Sequence, residues 1–210
     1  MRILAFAATK QGKDHVENED SMILDNRKHL HAIADGVTIP KGGKEASKRA
    51  VDYLKNIFKW DLKKAVEEVN DRLIEDSKEL PLGYTTIVAA AVKGDVLEVA
   101  NVGDTPAFLV RGNKITMLSV QDKFISGSLT QVLGKHNIKV HSAKEKLKPN
   151  DYVILASDGI TNVLTEEEIL QIVKRHQKPK EIIEATLLET EEEPQEYDDD
   201  KTMIVLHISE

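Results

Sequence analysis

The chain has 210 residues, of which 40% are hydrophobic and 31% charged, and it contains no cysteine. These values are typical of a globular protein, and a chain of this size can bury roughly 70% of its unfolded surface. The lack of cysteine excludes a disulfide framework, a thiolate nucleophile and zinc sites with cysteine ligands. With 29 basic and 36 acidic residues the formal net charge is −7, which disfavours nucleic acid and membrane surfaces as partners.

The sequence contains no apolar window of about 18 residues, so we predict no membrane span. Its start turns polar after a short apolar stretch and shows no small-residue cleavage site, which disfavours a signal peptide. We find no internal repeat and no linker. We therefore expect a cytoplasmic protein with a single domain over residues 1–210.

The first part of the chain predicts three strands and then two helices. The strands are residues 3–9, 21–24 and 29–34, and the polar residues 25–28 are typical of a turn. From Gly43 onward, apolar residues recur every three or four positions, which indicates an amphipathic helix. Asp61 is a suitable N-cap for a second helix, which we expect to end at residues 80–83.

The middle of the chain predicts a block of strands joined by hairpin turns. These strands are residues 85–92, 96–102, 107–110 and 114–118. The stretch from Ser119 to His141 shows no clear period, and we predict only a short helix over residues 129–133.

The last part of the chain predicts a buried strand at residues 152–156, two amphipathic helices after Thr165 and Pro179, and a closing strand at 203–208. Thr165 and Glu168 have the spacing of a capping box. Because the helices cluster and do not alternate with strands, the pattern favours an α+β fold with antiparallel sheets. We predict an antiparallel β-sandwich flanked on both faces by helix pairs.

Acidic residues recur at the ends of the predicted strands. They are Glu19-Asp20, Asp35-Gly36, Gly103-Asp104, Asp158-Gly159 and Asp198-Asp199-Asp200. Carboxylates that converge at one sheet edge resist ionisation unless a cation lies among them, and oxygen ligands suit Mg²⁺ or Mn²⁺. Asp-Gly pairs are also common in ordinary turns. The pattern alone therefore leaves both a metal site and a set of turns open.

Six short motifs, in this order, resemble those of the metal-dependent protein phosphatase (PPM, type 2C) family, in a compact bacterial- or archaeal-type form. The motifs are residues 18–21, 33–36, 83–86, 101–105, 156–160 and 199–202. The resemblance spans nearly the whole chain and implies a β-sandwich flanked by helices. It also implies hydrolysis of phosphoserine and phosphothreonine in proteins by a water or hydroxide that bridges two Mn²⁺ or Mg²⁺ ions.

The resemblance also implies a role for each acidic residue. Asp35, Asp158 and Asp199 are the implied catalytic residues: Asp35 bridges the two ions, and the others complete the protein ligands of one ion. The carbonyl of Gly36 binds one of the ions. The full set of implied metal ligands is Glu19, Asp20, Asp35, Gly36, Asp104, Asp158 and Asp199.

The outer members of this set have weaker implied roles. Glu19 and Asp20 mainly hold waters on the ions, and Asp104 resembles the ligand of a third, weaker ion. Asn162 stands where the family commonly has an aspartate, and an amide binds a cation less strongly, which disfavours the third ion. The segment between Ser119 and His141 is also short for the mobile flap of the family.

Two further departures concern the substrate. His15 stands where the family usually has an arginine that binds the substrate phosphate, so His15 or Lys13 is the candidate phosphate contact. Val37 stands where some members have a histidine proposed as general acid, which leaves protonation of the leaving group to a metal-bound water.

The expected substrate is therefore a phosphorylated protein, with the enzyme opposing a Ser/Thr kinase, acting as a monomer and binding neither nucleic acid nor membrane. Two alternatives stay open. One is a weakly active or inactive relative that binds phosphoproteins as a regulator, which His15 and Asn162 suggest. The other is a hydrolase of small phosphate esters.

Overall fold

A computed structural model describes all residues 1–210 and contains twelve strands and five helices. The strands are β1 (Arg2–Lys10), β2 (Ser21–Asp25), β3 (Leu30–Ala34), β4 (Gly36–Val37), β5 (Tyr84–Thr85), β6 (Ile87–Lys93), β7 (Val96–Val102), β8 (Ala107–Arg111), β9 (Lys114–Met117), β10 (His141–Lys146), β11 (Tyr152–Ala156) and β12 (Lys201–Ser209). The helices are α1 (Gly43–Ile57), α2 (Leu62–Asp76), α3 (Asp158–Thr161), α4 (Glu166–Arg175) and α5 (Pro179–Glu192).

Ten of the strands form two antiparallel five-stranded sheets. The first has the order β1-β12-β11-β8-β9 and the second the order β10-β7-β6-β3-β2, while β4 and β5 pair separately. The first and last strands of the chain pair along their whole length, with Arg2 opposite Ser209 and Lys10 opposite Lys201. This register brings the residues that follow β1 next to those that precede β12.

Three hydrophobic clusters hold four layers together. Alternate strand residues such as Val88, Leu155 and Ile204 fill the space between the sheets. The outer face of the second sheet packs against α1 and α2, and that of the first sheet packs against α4 and α5. The two-residue period of the strands thus supplies both an inner and an outer face to each sheet. The predicted α+β sandwich with helix pairs on both faces is confirmed.

The predicted helix starts are also confirmed, and side-chain caps mark two of them. The Asp61 side chain accepts a hydrogen bond from the Lys64 amide at the start of α2. Thr165 and Glu168 form the complete capping box of α4, and Pro179 opens α5. The second helix, however, ends at Asp76, several residues before the predicted end at 80–83. None of the five helices combines the length and the apolar character needed to cross a bilayer.

Two parts of the prediction for the middle of the chain are wrong. Residues 129–133 form no helix, because the segment turns at Gly127 and Gly134, whose φ angles are 86° and 92°. Strand β10 was not predicted at all. It lies at the edge of its sheet and pairs only with β7, so its side chains alternate between half-buried and exposed and include no apolar run.

His31 is a buried polar residue of β3 without a partner. It is fully buried, stands opposite Leu24 and Ala90 on the neighbouring strands, and neither ring nitrogen has a hydrogen-bond partner. Burial disfavours the charged imidazolium and lowers the pKa of His31 to about 4. Because the unfolded chain takes up this proton near pH 6.5, folding stability falls as the pH falls from 6.5 to 4.

We predict that His31→Leu reduces this acid sensitivity. Relative to the wild type, the variant should gain up to about 3 kcal/mol in unfolding free energy between pH 6.5 and pH 4. Urea unfolding across that range measures the difference, and His136→Asn, which removes an exposed imidazole from a turn, is the control that should keep the wild-type slope. Parallel pH profiles for wild type and His31→Leu would contradict the prediction.

Candidate metal centre

Four carboxylates from four separate segments line one cavity of about 160 Å³, together with Gly36. Asp35 follows β3 and Asp104 follows β7 in the second sheet, whereas Asp158 follows β11 and Asp199 precedes β12 in the first sheet. The cavity therefore lies where strand ends of both sheets meet. The structure brings together five of the seven predicted ligands in this one place.

Backbone hydrogen bonds fix the position of Asp35. Its carbonyl accepts from the Thr86 amide and from the Thr85 hydroxyl, both at 2.8 Å, and its own amide donates to Thr86 Oγ1 at 3.2 Å. Because Thr86 makes these hydrogen bonds to Asp35, it does not take part in strand pairing and separates β5 from β6. This explains why residues 85–92, predicted as one strand, form two.

Two glycines allow the backbone segments around the cavity to approach closely. A Cβ on Gly36 would lie 2.5 Å from the carbonyl carbon of Gly43 at the start of α1. A Cβ on Gly159 would lie 2.2 Å from the carbonyl oxygen of Asp200. Such distances are far below van der Waals contact, so glycine is required at both positions for the packing of the site.

The carboxylates in the cavity resist ionisation. Burial raises the pKa of Asp35 well above its usual value, and the charges of Asp20, Asp158, Asp199 and Asp104 raise it further. Burial, followed by the Asp199 and Asp104 charges, raises the pKa of Asp158 to about 6. Burial also raises the pKa values of Asp104 and Asp199. A positive charge placed among these groups would reverse these effects.

Asp20 lies behind this cavity and gives the clearest sign that a cation fits nearby. Its residue is only 4% exposed, and no donor lies in hydrogen-bonding geometry to either carboxylate oxygen. Burial raises the pKa of Asp20 to about 8, and the neighbouring hydroxyls of Thr202 and Ser157 offset this only in part. Buried carboxylates without donors are costly, and a set made only of oxygen donors suits Mg²⁺ or Mn²⁺. The residues present therefore fit such ions.

Glu19 is set apart from the four cavity carboxylates. It lines a neighbouring groove of about 610 Å³ with His15, and Thr38 lines both the groove and the cavity. The Thr38 hydroxyl donates to Glu19 Oε2 at 2.7 Å, and the Glu19 amide donates to Asp200 Oδ2 at 2.7 Å. Glu19 is thus attached to the rim of the cavity.

The two candidate phosphate contacts differ in their surroundings. The His15 side chain is buried, with Nε2 2.9 Å from Asp199 Oδ1 and Nδ1 3.0 Å from Asp200 Oδ2. Lys13 is exposed, and its amide donates to Asp198 Oδ2 at 2.9 Å. His15, Asp199 and Asp200 offer donor atoms within 4.8 Å of one another, a grouping that can hold a metal ion.

Asp200 is the functional residue that sequence reasoning missed. It is buried beside His15, and it accepts hydrogen bonds from the Gly12 and Glu19 amides at 2.9 and 2.7 Å. With its oxygens satisfied in this way, Asp200 is better suited to join the segment after β1 to the segment before β12 than to bind an ion. The run of three acids at 198–200 was the available signal, but spacing does not say which acid points inward.

Comparison with known proteins agrees with this site. A family model described as "Stage II sporulation protein E (SpoIIE)" matches residues 45–209 of the chain. The chain belongs to this family of metal-dependent protein phosphatases (PPM). The resemblance inferred from the six motifs is thereby confirmed.

Individual PPM relatives cover most of the chain. The "Serine/threonine phosphatase stp" of Listeria welshimeri is 26% identical over 205 residues, covering 79% of this chain and 81% of its own length. Stp1 from Staphylococcus aureus has the same fold, with a TM-score of 0.90 at 21% identity over 100% of this chain and 96% of its own. The catalytic domain of PstP, solved with two manganese ions, has a TM-score of 0.84 at 22% identity over 99% of both chains.

We predict that Asp35→Asn stabilises the metal-free PPM chain. The variant removes a buried charge from a repelling cluster, so its melting temperature in a chelator should rise by a few degrees. Added Mn²⁺ should raise the melting temperature of the wild type but not of the variant, since only the wild type retains the full ligand set.

The control for this experiment is Asp71→Asn, which removes an exposed carboxylate from α2. It should leave both the chelated melting temperature and the response to Mn²⁺ unchanged. A lower melting temperature of Asp35→Asn in the chelator, combined with a normal response to Mn²⁺, would contradict the prediction.

Proposed function

We propose that this chain is a metal-dependent serine/threonine protein phosphatase. The observation that carries the proposal is the cavity in which Asp35, Asp104, Asp158 and Asp199 converge from both sheets with raised pKa values. Membership of the PPM family and relatives named as serine/threonine phosphatases support the type of reaction and the substrate class.

In this proposal Asp35, the Gly36 carbonyl, Asp158 and Asp199 hold two Mn²⁺ or Mg²⁺ ions, and Asp104, for which the sequence implied a third, weaker ion, lines the same cavity. Glu19 and Asp20, beside and behind the cavity, act mainly through water. Two such ions, when bound, lower the pKa of a water and offset the charge of the phosphoryl oxygens. A solved PPM neighbour that contains two manganese ions supports this number.

Two side chains that line the cavity, Thr38 and Thr86, carry hydroxyls, and the Thr38 hydroxyl donates to Glu19 Oε2 at the rim. The Thr86 hydroxyl, which lines the cavity, is shared between the Thr105 hydroxyl at 2.6 Å and the Asp35 amide. It therefore has no base free to activate it. The chain contains no cysteine, and Val37 follows Gly36 where an imidazole acid would stand. In this proposal water is the nucleophile, and water also provides the proton for the leaving oxygen.

The chain's own residues mainly orient the carboxylates. The Asn162 side chain donates to Asp158 Oδ2 at 3.1 Å, which turns that carboxylate, and Thr86 fixes the backbone of Asp35. We propose that His15, placed between Asp199 and Asp200, orients Asp199. The exposed Lys13 is then the better of the two candidates for a contact with the substrate phosphate.

Further parts of the proposal concern the protein as a whole. Residues 1–210 form a single phosphatase domain, which the shared core between the two sheets supports. The substrate is a phosphorylated protein produced by a Ser/Thr kinase. We also propose that the protein acts as a monomer in the cytoplasm and binds neither nucleic acid nor membrane, in line with its net charge of −7.

We predict that the wild type hydrolyses phosphoserine and phosphothreonine peptides only when Mn²⁺ or Mg²⁺ is added. Asp158→Asn should lower kcat/KM about a hundredfold or more, because it removes a charged ligand from the ions that stabilise the transition state. Release of inorganic phosphate measures the rate, and Asp71→Asn is the control that should retain wild-type activity.

Each alternative has its own outcome in the same assay. Metal-dependent hydrolysis of para-nitrophenyl phosphate without hydrolysis of any phosphopeptide would favour a small-ester hydrolase. No metal-dependent turnover of either substrate would favour an inactive, phosphoprotein-binding relative. Either result would overturn the proposed function.

A further inference from the structure

A short hairpin over residues 123–129 closes one side of the carboxylate cavity. Lys123 and Leu129 form a β-bridge, and the Phe124 amide donates to the Ser128 carbonyl at 2.9 Å. Leu129 and Gly127 line the cavity directly. Lys123 stands at the base of this hairpin, so its position relative to the cavity depends on how the hairpin is attached.

The hairpin is attached through the buried carboxylate of Asp122. Asp122 Oδ2 accepts from the Gly103 amide at 3.0 Å, directly before Asp104. Asp122 Oδ1 lies 2.9 Å from His141 Nε2 and accepts from Gln131 Nε2 at 2.8 Å. This network joins the hairpin to the end of β7 and to the first residue of the edge strand β10. The base of the hairpin is therefore held in a fixed relation to Asp104.

Lys123 places a positive charge against Asp104, one of the carboxylates that line the cavity. Its Nζ lies 3.5 Å from Asp104 Oδ2, and its side chain is 32% exposed. Asp104 is the one cavity carboxylate with a lysine or arginine within 4.0 Å, since Asp35 and Asp158 have no such partner and Asp199 faces only His15. An ammonium has three donors, so the contact with Asp104 leaves donors free for a second acceptor such as a phosphoryl oxygen.

Asp104 has too little negative charge around it to favour the binding of a third divalent ion. Lys123 already neutralises its carboxylate, and Asn162, one helical turn after Asp158, presents an amide donor to Asp158 Oδ2 at 3.1 Å. An amide brings no charge to a cation site. A divalent ion at Asp104 would have to displace or repel the Lys123 ammonium.

We propose that the Lys123 ammonium supplies at Asp104 the positive charge that a third divalent ion would supply, and that it binds the substrate phosphoryl group from that side of the cavity. The proposal rests on the proposed function, and it makes Lys123 a substrate-contacting residue that works beside two ions. The anchored hairpin positions the Lys123 side chain, and the contact with Asp104 orients its ammonium group.

Binding of inorganic phosphate to the Mn²⁺-loaded protein tests the proposal by calorimetry. Lys123→Gln should raise the phosphate Kd about tenfold, as expected for loss of one charge-assisted hydrogen bond, whereas Lys123→Arg should stay within about threefold of the wild type. Lys146→Gln, which removes an equal charge from the far end of β10, should leave the Kd unchanged. Equal Kd values for wild type and Lys123→Gln would overturn the proposal.

The same variants test the relation to a third ion. The wild type should bind two Mn²⁺ ions, and millimolar Mn²⁺ should not tighten phosphate binding further. In Lys123→Gln, millimolar Mn²⁺ should partly restore phosphate affinity, and the double variant Lys123→Gln/Asp104→Asn should lose this rescue. A third Mn²⁺ ion bound by the wild type, or no rescue in Lys123→Gln, would overturn the proposal.

These binding measurements do not require turnover, so they can also be made on a catalytically inactive protein. If phosphate binding depends on Lys123 but no phosphopeptide is hydrolysed, the proposed function fails and the role of Lys123 in phosphate binding stands. If phosphopeptides are hydrolysed but the phosphate Kd does not depend on Lys123, the proposed role of Lys123 is wrong and the proposed function stands. Thermal melting of each variant in a chelator confirms that it is folded.

Discussion

Repulsion among buried carboxylates is the constraint on which the rest of this structure depends. Asp35, Asp104, Asp158 and Asp199 share one small cavity, with Asp20 buried behind them, and burial raises the pKa of every one of these groups. Such an arrangement is unfavourable for folding unless protons or cations neutralise it. It persists because three hydrophobic clusters, made by both sheets and the five helices, determine where the strands end.

The pairing of the first strand with the last gives this site its outer support. Because β1 and β12 pair from Arg2–Ser209 to Lys10–Lys201, the residues after Lys10 lie beside those before Lys201. Asp200 uses this proximity to accept hydrogen bonds from Gly12 and Glu19, and His15 lies between Asp200 and Asp199. Asp199, a proposed ion ligand just before β12, thus lies against a residue from the other end of the chain.

Much of the fold could be predicted because its signals are local. The strands near 96–102 and 152–156 and the capped helices after Asp61 and Thr165 follow from period and capping chemistry. The polar edge strand β10 could not be found in this way, since a strand paired on one side needs no apolar run. The false helix at 129–133 arose because its apolar residues serve separate long-range contacts, such as the bridge between Leu133 and Thr85.

The site could be predicted from the sequence to about the same extent as the fold. Strand-end acids and the order of the motifs indicated which carboxylates converge, and the net charge of −7 conceals this cluster. The sequence could not show that Asp200 joins two chain segments by hydrogen bonds, that Glu19 lies at the rim of the cavity, or that the Lys123 ammonium contacts Asp104. Those relations join residues far apart in the chain, and only the packed sheets bring them together.

Anomalous scattering from a crystal soaked in Mn²⁺ shows directly whether the buried carboxylates hold metal ions. We expect two manganese peaks among Asp35, Asp158 and Asp199, roughly 3.5–4 Å apart, with Lys123 still beside Asp104. A fully soaked crystal with no peak in this cavity, or with manganese only at exposed acidic residues elsewhere, would contradict it.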